Sequence, residues 1–389
     1  MSSSAPLIFV VAGESSGDNL GGRLLGALKR LTGSHVRFAG IGGPAMTAQG
    51  LASLFPMREL ALIGLAEILP HLPRLIRRLG ETVAAVRAAR PAVVVTIDSP
   101  GFNLRLAKRL RPLGIPVVHY VAPQLWAWKA ERGHRLKHLI DHMLVLLPFE
   151  PAFFAPFGVP CTFVGHSILE SGADRGDAAR FRARHRLGSA QPLIVLMPGS
   201  RAGEVRRLLP VFGAALAKLA PRFPGLAAAI PTVEATAAMV RDLVRPWPVA
   251  AIPVADSMEK FDAFAAATAA LTKSGTSTLE LALAGVPMAV AYRVSALSAF
   301  LIRRWLTVER VAMVNLLVDR EVVPELLQDR CTPDAIAATL ATLVADASAR
   351  DAQRAGLAQA IATLGGREPP PSERAARAVL DFLEEKAAG

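Results

Sequence analysis

The sequence predicts an α/β protein made of two doubly wound domains, each a parallel sheet with helices on both faces. Three observations carry that expectation. Short apolar, β-branched-rich runs alternate with longer helical patterns along the chain, which is the signature of βα units. The rhythm breaks at Glu170-Ser-Gly-Ala-Asp-Arg-Gly-Asp177, a small and charged segment suited to a linker. Both halves also open alike, with a strand, a small-residue turn and a helix; the turns are Gly13-Glu-Ser-Ser-Gly-Asp18 and Pro198-Gly-Ser-Arg-Ala-Gly203.

Each element follows in order. Leu7–Ala12 is an apolar run with no basic segment before it, and it passes straight into Gly13-Glu14, so it reads as a strand and not as a signal peptide. Further strands are expected at Val36–Gly40, Ala92–Ile97, Pro116–Val121, His142–Leu147 and Cys161–Gly165, with helices such as Asn19–Leu31 and Leu72–Ala89 between them. The second series runs through Leu193–Met197, Leu226–Pro231, Val249–Val254, Ala269–Thr272 and Pro287–Tyr292. Beyond about residue 330 the pattern is helical, and Pro369-Pro-Pro371 marks a bend before a last helix reaching Lys386. The expected domains are therefore 1–170, 171–365 and a C-terminal helical segment, 366–389, that packs back on the first domain or on a partner subunit. The two sheets are expected to face one another across a cleft. Ligands of such sheets bind outside the carboxyl ends of the strands, so chemistry is sought in the turns that follow strands.

Composition narrows the function classes. The chain of 389 residues is 52% hydrophobic and 20% charged, on the apolar side of the usual roughly 45–50% and 25%, which excludes a disordered chain. Mean hydropathy is +0.36, yet no stretch approaches the roughly 18–20 uninterrupted apolar residues of a spanning helix. Two cysteines, Cys161 and Cys331, exclude a disulfide scaffold and a Cys-based zinc site. The net charge is +12, and it is uneven: residues 1–170 carry 18 Lys+Arg against 10 Asp+Glu, residues 171–389 carry 26 against 22. Such a field suits nucleotide phosphates or an anionic membrane, or simply an Arg-rich composition. Nucleic acid is the weaker partner, because no zinc-finger spacing or RNP-type aromatic motif is present.

The segments that can carry chemistry all follow strands. Thr272-Lys-Ser-Gly-Thr-Ser-Thr-Leu-Glu280 opens a helix with small hydroxyl residues and one Gly, which lets backbone N–H groups approach an anion. Ordinary capping by Ser274 or Thr276 suits the same residues. Glu280, a turn further on, can accept from ribose hydroxyls. The segment is no Walker loop, and GxGxxG is missing at both domain openings, which favours a nucleotide-diphosphate donor over ATP or NAD. Arg201, in Pro198-Gly-Ser-Arg201, can grip a diphosphate, or can pair with Glu204 on the next helix. Asp98 ends a strand within Ile97-Asp-Ser-Pro-Gly-Phe-Asn103; it suits a general base, and equally a turn former. Glu14 and Asp18 can accept hydrogen bonds at the site or cap the following helix. His119 and His166 also fall at strand ends, where a lone His is more often structural. Two basic amphipathic stripes suit either a lipid surface or their own sheet. One is Leu72, Leu75, Ile76, Leu79, Val83 and Val86 with Arg74, Arg77 and Arg78; the other is Leu297, Leu301, Trp305 and Val308 with Arg303, Arg304 and Arg310.

Several of these segments together resemble the lipid-A-disaccharide synthase family. They are Ala12–Asp18, Gly40-Ile-Gly-Gly-Pro44, Ile97–Asn103, His119-Tyr-Val-Ala-Pro-Gln-Leu-Trp-Ala-Trp128, Leu146-Leu-Pro-Phe-Glu150 and Phe163-Val-Gly-His166. In the second half come Pro198–Arg201, Ser274–Glu280, Val314-Asn315 and Val323-Pro-Glu-Leu-Leu-Gln328. They keep their order over nearly the whole chain. The resemblance implies a GT-B fold and an inverting, metal-independent transfer without a cofactor. UDP-2,3-diacylglucosamine would donate its sugar to the 6-hydroxyl of 2,3-diacylglucosamine 1-phosphate (lipid X), giving lipid A disaccharide 1-phosphate and UDP. By the same resemblance Asp98 is the general base, Arg201 and Ser274-Gly275-Thr276 contact the diphosphate, Glu280 contacts the ribose, and Glu14 and Asn315 are further active-site positions. It implies a cytoplasmic protein docked on the anionic inner face of the cytoplasmic membrane, with no nucleic acid partner, and it leaves a homodimer open. Three positions depart from the family pattern: Gly101 stands where Asp is usual, Val314 where Pro is usual, and Lys129 where Arg is common. Other readings are a different UDP-sugar enzyme of this architecture, such as a lipid-linked N-acetylglucosaminyltransferase or an epimerase, and a non-catalytic peripheral membrane sensor of nucleotide or lipid.

Overall fold

The computed structural model describes residues 5–60, 65–128, 130–293 and 310–388, with the side chains of 65–70 set aside. The described residues form two six-stranded parallel sheets. The first contains β1 (Leu7–Ala12), β2 (Arg37–Ile41), β3 (Val93–Ile97), β4 (Val117–Tyr120), β5 (His142–Val145) and β6 (Cys161–Phe163), in the order β2-β1-β3-β4-β5-β6. The second contains β7 (Leu193–Met197), β8 (Ala227–Pro231), β9 (Ala250–Val254), β10 (Ala269–Thr272), β11 (Met288–Tyr292) and β12 (Glu325–Leu327), in the order β12-β11-β10-β7-β8-β9. Strand order reverses between β1 and β3 in one sheet and between β7 and β10 in the other. Those are the switch points where such sheets open a crevice.

The central strands are continuous apolar runs because both of their faces are buried. Along β1, Ile8, Val10 and Ala12 enter one core with Leu24, Leu25 and Leu28 of the helix Ser15–Leu31. Phe9 and Val11 enter the opposite core with Leu106 and Leu110 of the helix Pro100–Leu110. Each expected strand is present to within about two residues at either end. The strand β12 was not expected: its three residues follow Pro324, too short a run for alternation to show.

The chain divides into two compact units, Met1–Ser167 together with Leu364–Gly389, and Ile168–Thr363. The crossings fall at Ser167 and Thr363, against expected boundaries at 170 and 365. The terminal helix Pro371–Ala388 lies on the first unit, where Ala375, Ala376, Val379 and Phe382 complete the core around Leu24 and Leu28. Arg374 fastens it, donating from Nε to the Val164 carbonyl at 2.8 Å and from Nη1 to that of Pro369 at 2.9 Å.

The first amphipathic stripe divides in two. Within the helix Leu65–Ala89, Leu79 and Val86 are buried and Leu75 and Val83 pack against the same core, whereas Leu72 and Ile76 are 47% and 53% exposed. Arg78 leaves the basic flank, because it is held by Glu59 at 2.8 Å and lies over the Phe55 ring. The second stripe, apart from Arg310, lies outside the described residues, as does Lys129. No helix among the described residues is long and apolar enough to cross a membrane.

Candidate functional site

At the first switch point, the turn after β1 meets the turn after β3. A Cβ on Gly13 would lie 2.5 Å from Ser99 Oγ, so only glycine allows the two turns to approach this closely. Asp98 and Ser99 are consecutive left-handed residues, with φ of +49° and +44°, a conformation costing roughly 1–2 kcal/mol for each. Two contacts hold them there. Asp98 N–H donates to the Tyr120 carbonyl at 2.9 Å. The buried Asn103 amide donates to the carbonyls of Ile97 (3.0 Å) and Asp98 (2.7 Å). Burial pushes the Asp98 carboxyl above its ordinary value, opposed by a hydrogen bond from the Ser99 backbone. The result is a half-buried carboxylate of enhanced basicity on a constrained elbow.

Glu14 and Asp18 part company. Glu14 takes the N-cap position of the helix Ser15–Leu31 in extended backbone and makes no side-chain cap; it directly follows Gly13, whose turn meets the Ser99 turn. Asp18 is buried and accepts from the N–H groups of Gly43, Ala45 and Met46 at 2.8–3.1 Å, stapling the Gly40–Pro44 segment to the first helix. His119 is wholly buried, with Nδ1 2.8 Å from Thr96 Oγ1, and burial pushes it down to about 4. His166 is pushed down to about 4 by the same cause. Both are neutral interior residues.

Gly101 lies in the exposed first turn of Pro100–Leu110, where a Cβ would meet only Arg105 Nη1, at 3.8 Å. Its missing carboxylate belongs on the helix surface and not on the elbow.

Glu150 closes the Leu146–Glu150 motif, and its surroundings are not legible in the sequence. It follows β5 and is 3% exposed. Its Oε2 accepts from the N–H groups of Leu146 (3.0 Å) and Leu147 (2.9 Å), and its Oε1 from Trp126 Nε1 (3.3 Å). Burial pushes this carboxyl up to about 7 against those hydrogen bonds. The Trp126 ring meets Phe149 edge-on at 5.2 Å.

The second switch point is cationic. Arg201 precedes the helix Ala202–Leu219, whose N-terminus opens at the end of β7. Its side chain is 60% exposed, and its Nη1 lies 3.8 Å from Glu204 Oε1, too far for a hydrogen bond. Glu204 thus keeps a long ion pair with Arg201 and a shorter one with Lys273, at 3.1 Å. Beyond β10, Gly275 has φ of +142°, backbone that only glycine takes up readily. Neither expected cap forms, because Thr276 makes no side-chain cap and Ser274 Oγ donates to the Val311 carbonyl at 2.9 Å. Glu280 pairs with Lys260 at 2.8 Å. Lys260 and Lys273 had escaped notice: Lys273 sits inside the noted motif, while nothing in the sequence marks Lys260.

Asn315 stands apart from a ligand-facing role in this structure. Its Nδ2 donates to Val323 O (2.9 Å) and Glu325 Oε1 (2.8 Å), while its Oδ1 accepts from the N–H groups of Val322 and Val323 (2.8 and 3.0 Å). Glu325 also accepts from Val311 and Ala312 N–H groups. Asn315 and Glu325 thus clamp the segment that Ser274 touches. Val314 is buried at the second position of the helix Met313–Val318, a place where Pro is also tolerated.

Several solved structures share this chain's fold. One, described as a Staphylococcus aureus MnaA–UDP co-structure, has a TM-score of 0.68 at 12% identity, covering 97% of each chain. Acinetobacter baumannii MurG has a TM-score of 0.56 at 15% identity, covering 97% of this chain and 99% of that one. The calicheamicin glycosyltransferase CalG4 has 0.60 at 18%, covering 97% and 98%. The fold is therefore that shared by GT-B glycosyltransferases and UDP-sugar epimerases. Sequence relatives are more particular. The family described as lipid-A-disaccharide synthetase matches residues 8–379. The lipid-A-disaccharide synthases of Rhodospirillum centenum and Granulibacter bethesdensis are 50% and 54% identical, over 98% and 97% of this chain and 95% and 99% of theirs. The chain belongs to the lipid-A-disaccharide synthase family of glycosyltransferases, and the epimerase and sensor readings are not favoured.

Proposed function

We propose that this chain transfers the sugar of UDP-2,3-diacylglucosamine to the 6-hydroxyl of 2,3-diacylglucosamine 1-phosphate, releasing UDP and lipid A disaccharide 1-phosphate. The observation that carries the reading is the family match over residues 8–379. It is supported by the opposite chemistries of the two switch points: a basic carboxylate on one and an exposed guanidinium on the other. Asp98 takes the proton from the acceptor hydroxyl as its oxygen attacks C1 of the donor sugar. The bond from C1 to the diphosphate oxygen breaks on the opposite side, and that electron pair leaves with UDP. Arg201, the Gly275 turn and the N-terminus of Ala202–Leu219 offset the charge that UDP gathers. Glu280 accepts from the ribose hydroxyls, and Glu14 assists at the acceptor. Asn315 acts through the Val311–Asn315 segment, keeping Ser274 in place. Incubating pure protein with both acylated substrates and following UDP and disaccharide by mass spectrometry tests this. Disaccharide and UDP in equal amounts are expected; UDP without disaccharide, or neither, overturns it.

Both substrates carry acyl chains and phosphate, so the protein must reach a membrane surface. The exposed Leu72 and Ile76, beside exposed Arg74 and Arg77, suit peripheral docking on the anionic inner face of the cytoplasmic membrane. Binding to anionic vesicles should fall about tenfold or more in the double variant L72E/I76E, and should weaken with salt. Flotation indifferent to both would remove this surface from the membrane.

A further inference from the structure

We propose that Glu150 is a positioning residue that holds the indole of Trp126 as a contact for the acceptor lipid beside the Asp98 elbow. The inference rests on the function proposed above and assigns a residue pair to its acceptor subsite. Three turns at the carboxyl edge of the first sheet are tied in series. Asp98 N–H donates to Tyr120 O at the end of β4, and Val121 N–H donates to Leu144 O of β5, both at 2.9 Å. Glu150, after β5, then reaches back to Trp126 in the turn after β4. The Trp126 loop therefore hangs from the strand adjoining the one that carries Asp98.

That loop is built under strain. Val121 has φ of +78°, a conformation that a β-branched residue rarely adopts and that persists only where the surroundings enforce it. The next residues close tight turns, with Leu125 N–H on Pro123 O at 2.6 Å and Trp128 N–H on Leu125 O at 3.2 Å. A buried carboxylate is a costly way to fix a loop unless its direction matters. Here one oxygen serves two backbone N–H groups, and the other is given to the indole N–H alone. Trp126 is half-buried and Trp128 is 49% exposed. An indole fixed by its polar edge presents a rigid apolar face at little entropic cost. The partner that needs such a face next to the base is the acylated acceptor sugar. The nucleotide has its own cationic turns in the other unit.

Glu150→Gln separates the two oxygens. Its amide oxygen can keep both backbone N–H groups, while its NH2 faces the indole N–H and cannot accept from it. Trp126→Phe keeps an aromatic face and removes the donor. Each variant should raise the KM for the acceptor about tenfold, the scale of one hydrogen bond to a charged group. Donor KM and UDP affinity should stay within about twofold in both. If the two residues act as one device, the double variant is no worse than the weaker single. Acceptor KM unchanged in a folded Glu150→Gln, donor and acceptor KM rising together, or additive effects would each overturn the pairing. Should Glu150→Gln fail to fold, an unchanged acceptor KM in Trp126→Phe overturns it alone. Wild-type protein that makes no disaccharide refutes the proposed reaction and this inference with it, whereas an active wild type with unaffected variants refutes the inference only.

Discussion

The two sheets share a construction and differ in what their switch points offer. In the first unit the turns are narrow, left-handed and carboxylate-bearing, and Asp98 sits half-buried on an elbow that Asn103 and Tyr120 hold shut. In the second the turns are open, and the carboxylates there are already engaged by lysines. That leaves Arg201 as a loosely held guanidinium at a helix N-terminus. In the reaction proposed above, one architecture would serve a group that gains a proton and a group that absorbs negative charge. The first needs desolvation and strain; the second needs exposure.

The comparison can be broken most directly at Asp98. Asp98→Ala should lower kcat by roughly 100- to 10,000-fold while calorimetry shows unchanged UDP affinity. A loss of UDP binding of similar size would mean that the division between units is false. The acid limb of stability sharpens the same contrast, because His119 and His166 both belong to the first unit. Each is pushed down from 6.5 to about 4 by burial. A depressed histidine is neutral when folded, so the unfolded chain binds protons first as pH falls. The contribution of each histidine is therefore full above about pH 6.5 and is lost down to about pH 4, by about 3 kcal/mol, while Glu150, raised to about 7, contributes in the opposite direction. Denaturant melts of wild type and His119→Gln across that range should show a shallower acid loss in the variant.

Arg201→Ala should weaken UDP binding by roughly 10- to 100-fold and leave acceptor KM unchanged; intact UDP affinity would sink the cationic half of the comparison. The smallest effect is expected at Gly101. Gly101→Asp adds a carboxylate to an exposed first turn, which should raise stability by roughly 0.5–1 kcal/mol and change kcat by less than about threefold. A large gain in rate would show that the base is shared.

Much of this was legible in the chain because doubly buried strands are apolar runs and switch-point turns carry small residues after them. Asp98, Arg201 and the Ser274–Thr276 turn could be found that way. What escaped were pairings that depend on tertiary contact. Asp18 stands one helical turn beyond Glu14, and only the fold shows that it reaches the Gly43 segment. Glu150 looks like an ordinary helix-opening acid until Trp126 is seen against it. Asn315 was marked by its motif, but its four hydrogen bonds make it a clamp. The stripe from Leu72 to Val86 has one period in sequence and two fates in space, because a helix turning through about 100° per residue lets only part of a wide stripe face its sheet.

The C-terminal helix carries a consequence for how the molecule is made. The first core is lined by residues from both chain ends, with Ala375, Ala376, Val379 and Phe382 covering Leu24 and Leu28. During synthesis those leucines emerge early and wait, uncovered on that side, until the whole of the second unit has been translated. The second unit, drawn from one continuous stretch, has no such delay. The half that begins first is the one that finishes last, and its open apolar flank is the part of the nascent chain most in need of shelter.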